Sequence, residues 1–245
     1  MDIAELFADA AEIDPARPFI TFYDDASGER TELSYLTLDN WVSKTANLLV
    51  DDAGLGPGDV AGVDMPGHWL TAAVMLGCWR AGLAIAHEPS STDVWFASEE
   101  RLDAAGGDEV YAVAVAPMAV GLRDEAAKAA VADGKVSDYL VEVRAHGDGF
   151  TPPEPISVDD PALVDMPRGA PNLSRRQVVA AAHRRAEELG ATDGERLLIA
   201  GDVIPPLDWL LAPLAVKGSV VLCRNSDPDK LPARAERERA RIARS

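Results

Sequence analysis

Residues 59–88 read DVAGVDMPGHWLTAAVMLGCWRAGLAIAHE, and the fold class follows from them. Val60-Ala61-Gly62-Val63 predicts a short strand, opened by the turn Gly56-Pro57-Gly58-Asp59. Trp69 to Trp79 is apolar on nearly every side, as a crossover helix covered by other elements would be. Leu83-Ala84-Ile85-Ala86 is apolar without alternation, the pattern of a strand buried on both faces. Strand, helix and strand within about 30 residues make one βαβ unit, which implies a parallel sheet.

Upstream, Ile3 to Ala11 has helical periodicity, and Phe19 to Tyr23 followed by Thr31 to Leu33 across the turn Asp24 to Gly28 predicts a hairpin. Ser34 is placed to cap a helix whose apolar positions Leu38, Val42, Thr45 and Leu49 share one face. Downstream, Val110 to Val115 and Tyr139 to Val143 read as strands around a helix from Arg123 to Ala132. Prolines 152, 153, 155, 161, 167 and 171 then predict a linker over 147–171.

After the linker the pattern repeats. Ser174-Arg175-Arg176-Gln177 is a capping box, and Val178, Ala182, Ala186 and Leu189 form a helix face closed by Gly190. Leu197 to Ala200, Leu207 to Val216 and Ser219 to Leu222 make a second strand, helix and strand. The expected architecture is α/β, two βαβ lobes with mainly parallel sheets flanked by helices. The first lobe covers 1–146, the second 172–226. An arginine-rich tail, 227–245, with Arg234, Arg237, Arg239, Arg241 and Arg244, is expected to fray in solvent.

The 245 residues carry 41 acidic and 23 basic side chains, a net charge of −18, which excludes nucleic acid and anionic membranes as partners by repulsion. The start shows no secretory pattern, and Trp69 to Trp79 is too short to span a bilayer. Cys78 and Cys223 each sit in an apolar run, as free thiols of a reducing compartment do, so a cytoplasmic setting is expected. No Walker-type phosphate loop and no Gly-x-Ser-x-Gly elbow occur. Gly54-Leu55-Gly56-Pro57-Gly58 precedes a strand, whereas a dinucleotide fingerprint must follow one. The histidines, His68, His87, His146 and His183, lack metal-ligand spacing, so no metal is expected. His87 and Glu88, just past a parallel strand, form the one candidate acid/base pair.

Leu33-Ser34-Tyr35-Leu36-Thr37-Leu38, Trp41, Ala46-Asn47-Leu48-Leu49, the Gly54 to Asp59 turn, Met65-Pro66 and Trp79 to Ala84 together resemble the opening of the AMP-binding, adenylate-forming superfamily. Leu173 to Leu189, Asp193 to Leu197, Leu211 to Leu214 and Gly218 to Leu222 resemble that family's order after its phosphate loop. The resemblance implies a site for ATP and a carboxylic acid. The family's phosphate loop is rich in Ser, Thr and Gly. Here the corresponding stretch is Leu163-Val164-Asp165-Met166-Pro167-Arg168-Gly169-Ala170-Pro171-Asn172-Leu173. It has one glycine, no hydroxyl, two prolines without N–H, and Arg168 as its single cation. The family's adenine loop and C-terminal catalytic domain have no counterpart in this sequence. The chain is therefore expected to be a truncated, non-catalytic remnant, binding another protein or a small ligand and no cofactor. The alternatives are half of a split ligase, or an enzyme of altered chemistry using His87, Glu88 or Arg168.

Overall fold

Asp2 begins the first helix, α1 (Ile3–Ile13), with a reciprocal cap: its carboxylate accepts the Ile3 N–H, and Glu5 accepts the Asp2 N–H at 2.7 Å. The computed structural model describes residues 1–86, 92–104, 106–116, 120–165 and 170–243. Strands β1 (Pro18–Asp24) and β2 (Glu29–Ser34) form the expected hairpin, and the Ser34 side chain caps α2 (Tyr35–Asn47), which runs on into a wider turn at Leu48–Asp52. Then come β3 (Val60–Asp64), α3 (Trp69–Ala81) and β4 (Ala84–Ala86), with β3 and β4 parallel as the opening stretch predicts. Every residue from Trp69 to Trp79 is buried, which is why that helix carries no polar face.

Strand β5 (Val94–Ser98), which no periodicity announced, pairs parallel with β3 and with β6 (Glu109–Val113). Helix α4 (Glu125–Ala132) leads to β7 (Ser137–Asp138). The expected strand from Tyr139 to Val143 is instead α5 (Tyr139–Glu142) with a 3₁₀ turn after it. Asp138 caps it by accepting the Leu140 N–H at 3.0 Å, and Tyr139, Leu140 and Val143 bury one helical face. The proline-rich stretch is not structureless: Pro161 opens β8 (Pro161–Val164), at a strand's first position where a missing N–H is tolerated. β8 pairs parallel with β4 and antiparallel with β9 (Leu173–Ser174). Helix α6 (Arg175–Glu188) carries the predicted capping box and buries Val178, Ala182 and Ala186. Strand β10 (Arg196–Ala200), α7 (Ala212–Ala215) and β11 (Ser219–Arg224) complete the second unit, β10 and β11 parallel, and α8 (Leu231–Glu238) with β12 (Arg241–Ile242) follows.

Among the described residues the strands form two sheets, ordered β12-β10-β11-β1-β2 and β7-β6-β5-β3-β4-β8-β9. The sheets cross the expected lobe boundaries. The N-terminal hairpin belongs with β11, Ile20 opposite Val220 and Phe22 opposite Leu222, while β8 and β9 of the supposed linker complete the other sheet. A lone hairpin cannot bury Phe19, Ile20 and Phe22 by itself, so it pairs wherever a strand of matching apolar face is available. The tail is also not frayed. Its strand β12 extends the five-stranded sheet beside β10, and Arg234 and Ala235 of α8 are buried. One continuous apolar core joins both sheets through α1, α2, α3, α6 and the 207–215 segment. No described helix is long and apolar enough to cross a membrane.

Candidate functional site

Parallel α/β sheets place ligands at the carboxyl ends of their strands, because there the chain leaves the sheet and loops converge. In the seven-stranded sheet Ala86 of β4 lies opposite Val164 of β8, so the chain leaves both strands side by side. The carboxyl ends of β4 and β8 are thus neighbours. His87, Glu88 and Arg168 themselves lie outside the described residues.

What is described along this edge is acidic and already engaged. Asp165 has a positive φ of 48°, and its N–H donates to the Asn172 side-chain oxygen at 3.2 Å. Asp64, ending β3, accepts from Arg101 at 2.5 Å. Glu99, just past β5, accepts the N–H groups of Arg123 and Asp124 at 2.6 and 2.5 Å. The five-stranded sheet repeats the pattern. Asp24 at the end of β1 takes the Ala26 N–H and the Asn225 side-chain amide, both at 2.9 Å, while Arg224 of β11 faces Asp24 at 4.0 Å. Among the described residues, the Arg101 side chain, the Arg123 and Asp124 N–H groups and the Asn225 amide are committed to carboxylates of the protein.

Below this second edge lies a pair that the sequence reading passed over. His68 follows Pro66-Gly67 and opens α3; its Nδ1 accepts the Leu70 N–H at 3.1 Å, so the proton sits on Nε2. The ring is fully buried, edge-on to Phe22 with centroids 4.5 Å apart. Its Nε2–H has no hydrogen-bond acceptor, and the nearest carboxylate, Glu29 on β2, is 3.8 Å away. Glu29 in turn accepts the Thr31 hydroxyl at 2.6 Å. Burial holds the His68 imidazole pKa below its usual range, against the pull of Glu29. Burial pushes the Glu29 carboxyl up, but His68 and the Thr31 hydroxyl outweigh it and leave that carboxyl below its usual range. The signal available in the sequence was positional: His68 is the one polar side chain directly before an apolar helix, where an acceptor for a first-turn N–H is needed.

The pair acts as a strut between α3 and the hairpin. Replacing His68 by Asn should keep the cap yet lose the ring's packing, about 2 kcal/mol of stability. Because the folded pKa of His68 is depressed, its contribution is complete above the unfolded value and declines as pH falls below about 6.5. Denaturant unfolding of both proteins between pH 7.5 and 5 checks this. The native chain should lose stability over that range, and His68→Asn should lack this part of the loss.

The family model for AMP-binding enzymes matches residues 7–88. A curated relative from Mycobacterium tuberculosis, described as a TIGR03089 family protein, is 36% identical over 230 residues, covering 92% of this chain and 90% of its own length. Two solved structures share the fold at a TM-score of 0.74: a mutant form of Coronafacic Acid Ligase from Pectobacterium brasiliense, 13% identical, and an acyl-CoA synthetase from Brucella canis, 15% identical. Each match covers 99% of this chain but only 50% and 47% of those chains, so this chain spans about half their length. The order of parallel strands and helices, the capped α2, α3 and α6, and these likenesses agree: the chain belongs to the TIGR03089 family and has the α/β fold of the adenylate-forming superfamily.

Proposed function

We propose that this chain is a binding module on an adenylate-forming scaffold and does not itself form adenylates. The observation that carries this reading is the loop from β8 to β9, where the resemblance would put the phosphate loop. A nucleotide triphosphate needs several free N–H or hydroxyl donors and a local positive field. The loop instead opens on Asp165, whose N–H is spent on Asn172, and Pro167 and Pro171 carry no N–H at all. Farther along the same sheet, two and three strands from β8, β3 ends on Asp64 and β5 is followed by Glu99. These residues do not fit ATP. A protein partner or a small ligand at the sheet edges is the proposed occupant. The buried free thiols Cys78 and Cys223 support a reducing, cytoplasmic setting.

Calorimetric titration with Mg-ATP, with and without a panel of carboxylic acids, should show no saturable heat at micromolar concentrations. Saturable micromolar binding would overturn the proposal. A second reading, half of a split ligase, is favoured by the match to about half of each solved ligase-type chain. It expects a separate protein that co-purifies and restores pyrophosphate release from ATP, an outcome a pull-down followed by assay distinguishes.

A further inference from the structure

The five-stranded sheet has two buried faces, and they are covered differently. One face, with Ile20, Phe22, Leu197, Ile199, Val220 and Leu222, belongs to the main core. The other, with Tyr23, Leu198, Val221 and Cys223, is covered by α8, which contributes Ala235 and the partly buried Leu231. The segment 227–243 otherwise brings only small apolar groups to its seat: Ala240 packs against the same face, and Ala243 adds one methyl group to the main core. Charged contacts do most of the holding. Glu238 accepts from the Tyr23 hydroxyl at 2.5 Å, from Arg30 at 3.1 Å and from Arg196 at 2.8 Å. Arg234 donates to Asp25 at 2.6 Å and lies 4.2 Å above the centre of the Tyr23 ring. Arg241 forks onto Glu195 at 2.6 and 3.1 Å and onto the carbonyls of Leu189 and Gly190.

We propose that residues 227–243 form a charge-held clasp that opens as a unit, uncovering the second face of the five-stranded sheet and Cys223 while the rest stays folded. Local opening is drawn from parts with few apolar contacts at the periphery, and a two-residue edge strand with a small helix is such a part. Other charged groups face the clasp: Glu32, hydrogen-bonded to Arg30, Arg196 and Thr21; Asp24 beside Arg224; and Lys230 beside Asp227 within the segment. Acid should loosen the clasp. Burial raises the Glu238 carboxyl, but Tyr23 and Arg30 outweigh it; the Asp227 N–H lowers Asp25 despite its burial; and Arg241 lowers Glu195. Folded values below the unfolded ones mean the docked state is fully favoured above about pH 4.5 and loses that support as pH falls further.

The two cysteines separate local from global opening, because Cys78 is buried in α3 within the main core and Cys223 lies under the clasp. The experiment labels the full chain with a thiosulfonate reagent at pH 7 and reads each cysteine by peptide mass spectrometry. In Glu238→Gln, Cys223 should react about 10- to 100-fold faster than in the native chain, the scale of a lost charge-assisted hydrogen bond, and Cys78 should stay protected. Arg241→Ala should show the same selectivity with a several-fold change. In the native chain, Cys223 labelling relative to an unfolded control at the same pH should rise as pH falls below about 4.5, before Cys78 is exposed. Equal rates at both cysteines, an unchanged Cys223 rate in both variants, or a Glu238→Gln protein that does not fold would overturn the clasp.

Discussion

Replacing Arg175 with alanine is expected to cost about 3–5 kcal/mol, the loss that follows when one partner of a buried ion pair is removed. Arg175 is fully buried although it opens α6, where a cation opposes the helix dipole. Its position is explained by what it reaches. Nη1 donates to both Asp2 oxygens at 3.0 and 3.2 Å, and Nη2 donates to the Trp79 carbonyl at 2.8 Å and the Leu83 carbonyl at 3.4 Å. Asp2 is the cap of α1, and Trp79 belongs to the last turn of α3, where its carbonyl also accepts the N–H of the cap residue Gly82 at 3.2 Å. One guanidinium thus ties the start of α1 to the end of α3 from the start of α6. Lysine could not replace it, since a single ammonium cannot reach a carboxylate and two carbonyls in a fixed fork.

Thermal unfolding should register the alanine variant as a drop of roughly 10 °C for a chain of this size. The informative comparison is Asp2→Asn with Arg175→Met. Each alone leaves a buried polar group unmatched, so the double variant should lose clearly less than the two losses added together. Additive losses would show that the carbonyl contacts matter and the ion pair does not.

The serine caps and the two βαβ units are legible because they are local. Ser34 and Ser174 cap the helices their neighbours predict, and the all-apolar α3 announces a helix covered on every side. What the sequence hid is non-local or depends on small residues. Nothing around Ile20 says that it pairs with Val220, so the sequence places the hairpin in the first lobe, whereas β1 pairs with β11 of the second. Tyr139 to Val143 fits either period, and only the Asp138 cap decides for helix. The arginines of the tail read as solvated until Glu238, Asp25 and Glu195 are seen opposite them. Arg175 looked like a filler inside a capping box, and His68 like a histidine without a metal. For Ile20, the tail arginines, Arg175 and His68 the deciding partner is distant in the chain. At the candidate site the acids and prolines around β8 were visible in the sequence, but the N–H that Asp165 spends on Asn172 was not.

The second large effect is expected at Gly62, the middle of β3, where alanine should destabilise by about 3 kcal/mol. A methyl group there would lie 1.5 Å from Cε3 and 1.8 Å from Cζ3 of Trp95, far inside contact distance. The two residues are register partners, Gly62 on β3 and Trp95 on β5, so the indole lies across the neighbouring strand in the space that a side chain would fill. Trp95 is buried at 3% exposure, and its ring is rigid, so it cannot slide aside as the tip of a lysine could. Either β3 shifts against β5, straining the centre of the seven-stranded sheet, or the ring leaves its place. Strain of that kind costs about 1–3 kcal/mol, and giving up a buried tryptophan's packing about 3–5 kcal/mol. Gly194 provides the control: its φ of 73° also disfavours alanine, but nothing lies within 4 Å, so the change there should cost only about 1 kcal/mol. The measurement is denaturant unfolding of Gly62→Ala, Trp95→Leu and the double variant. If the clash is the cause, Gly62→Ala should cost little once the indole is gone, and the two changes should couple by more than 1 kcal/mol. A Gly62→Ala loss as large in the Trp95→Leu background as in the native chain would place its origin in the backbone of β3 and refute the account.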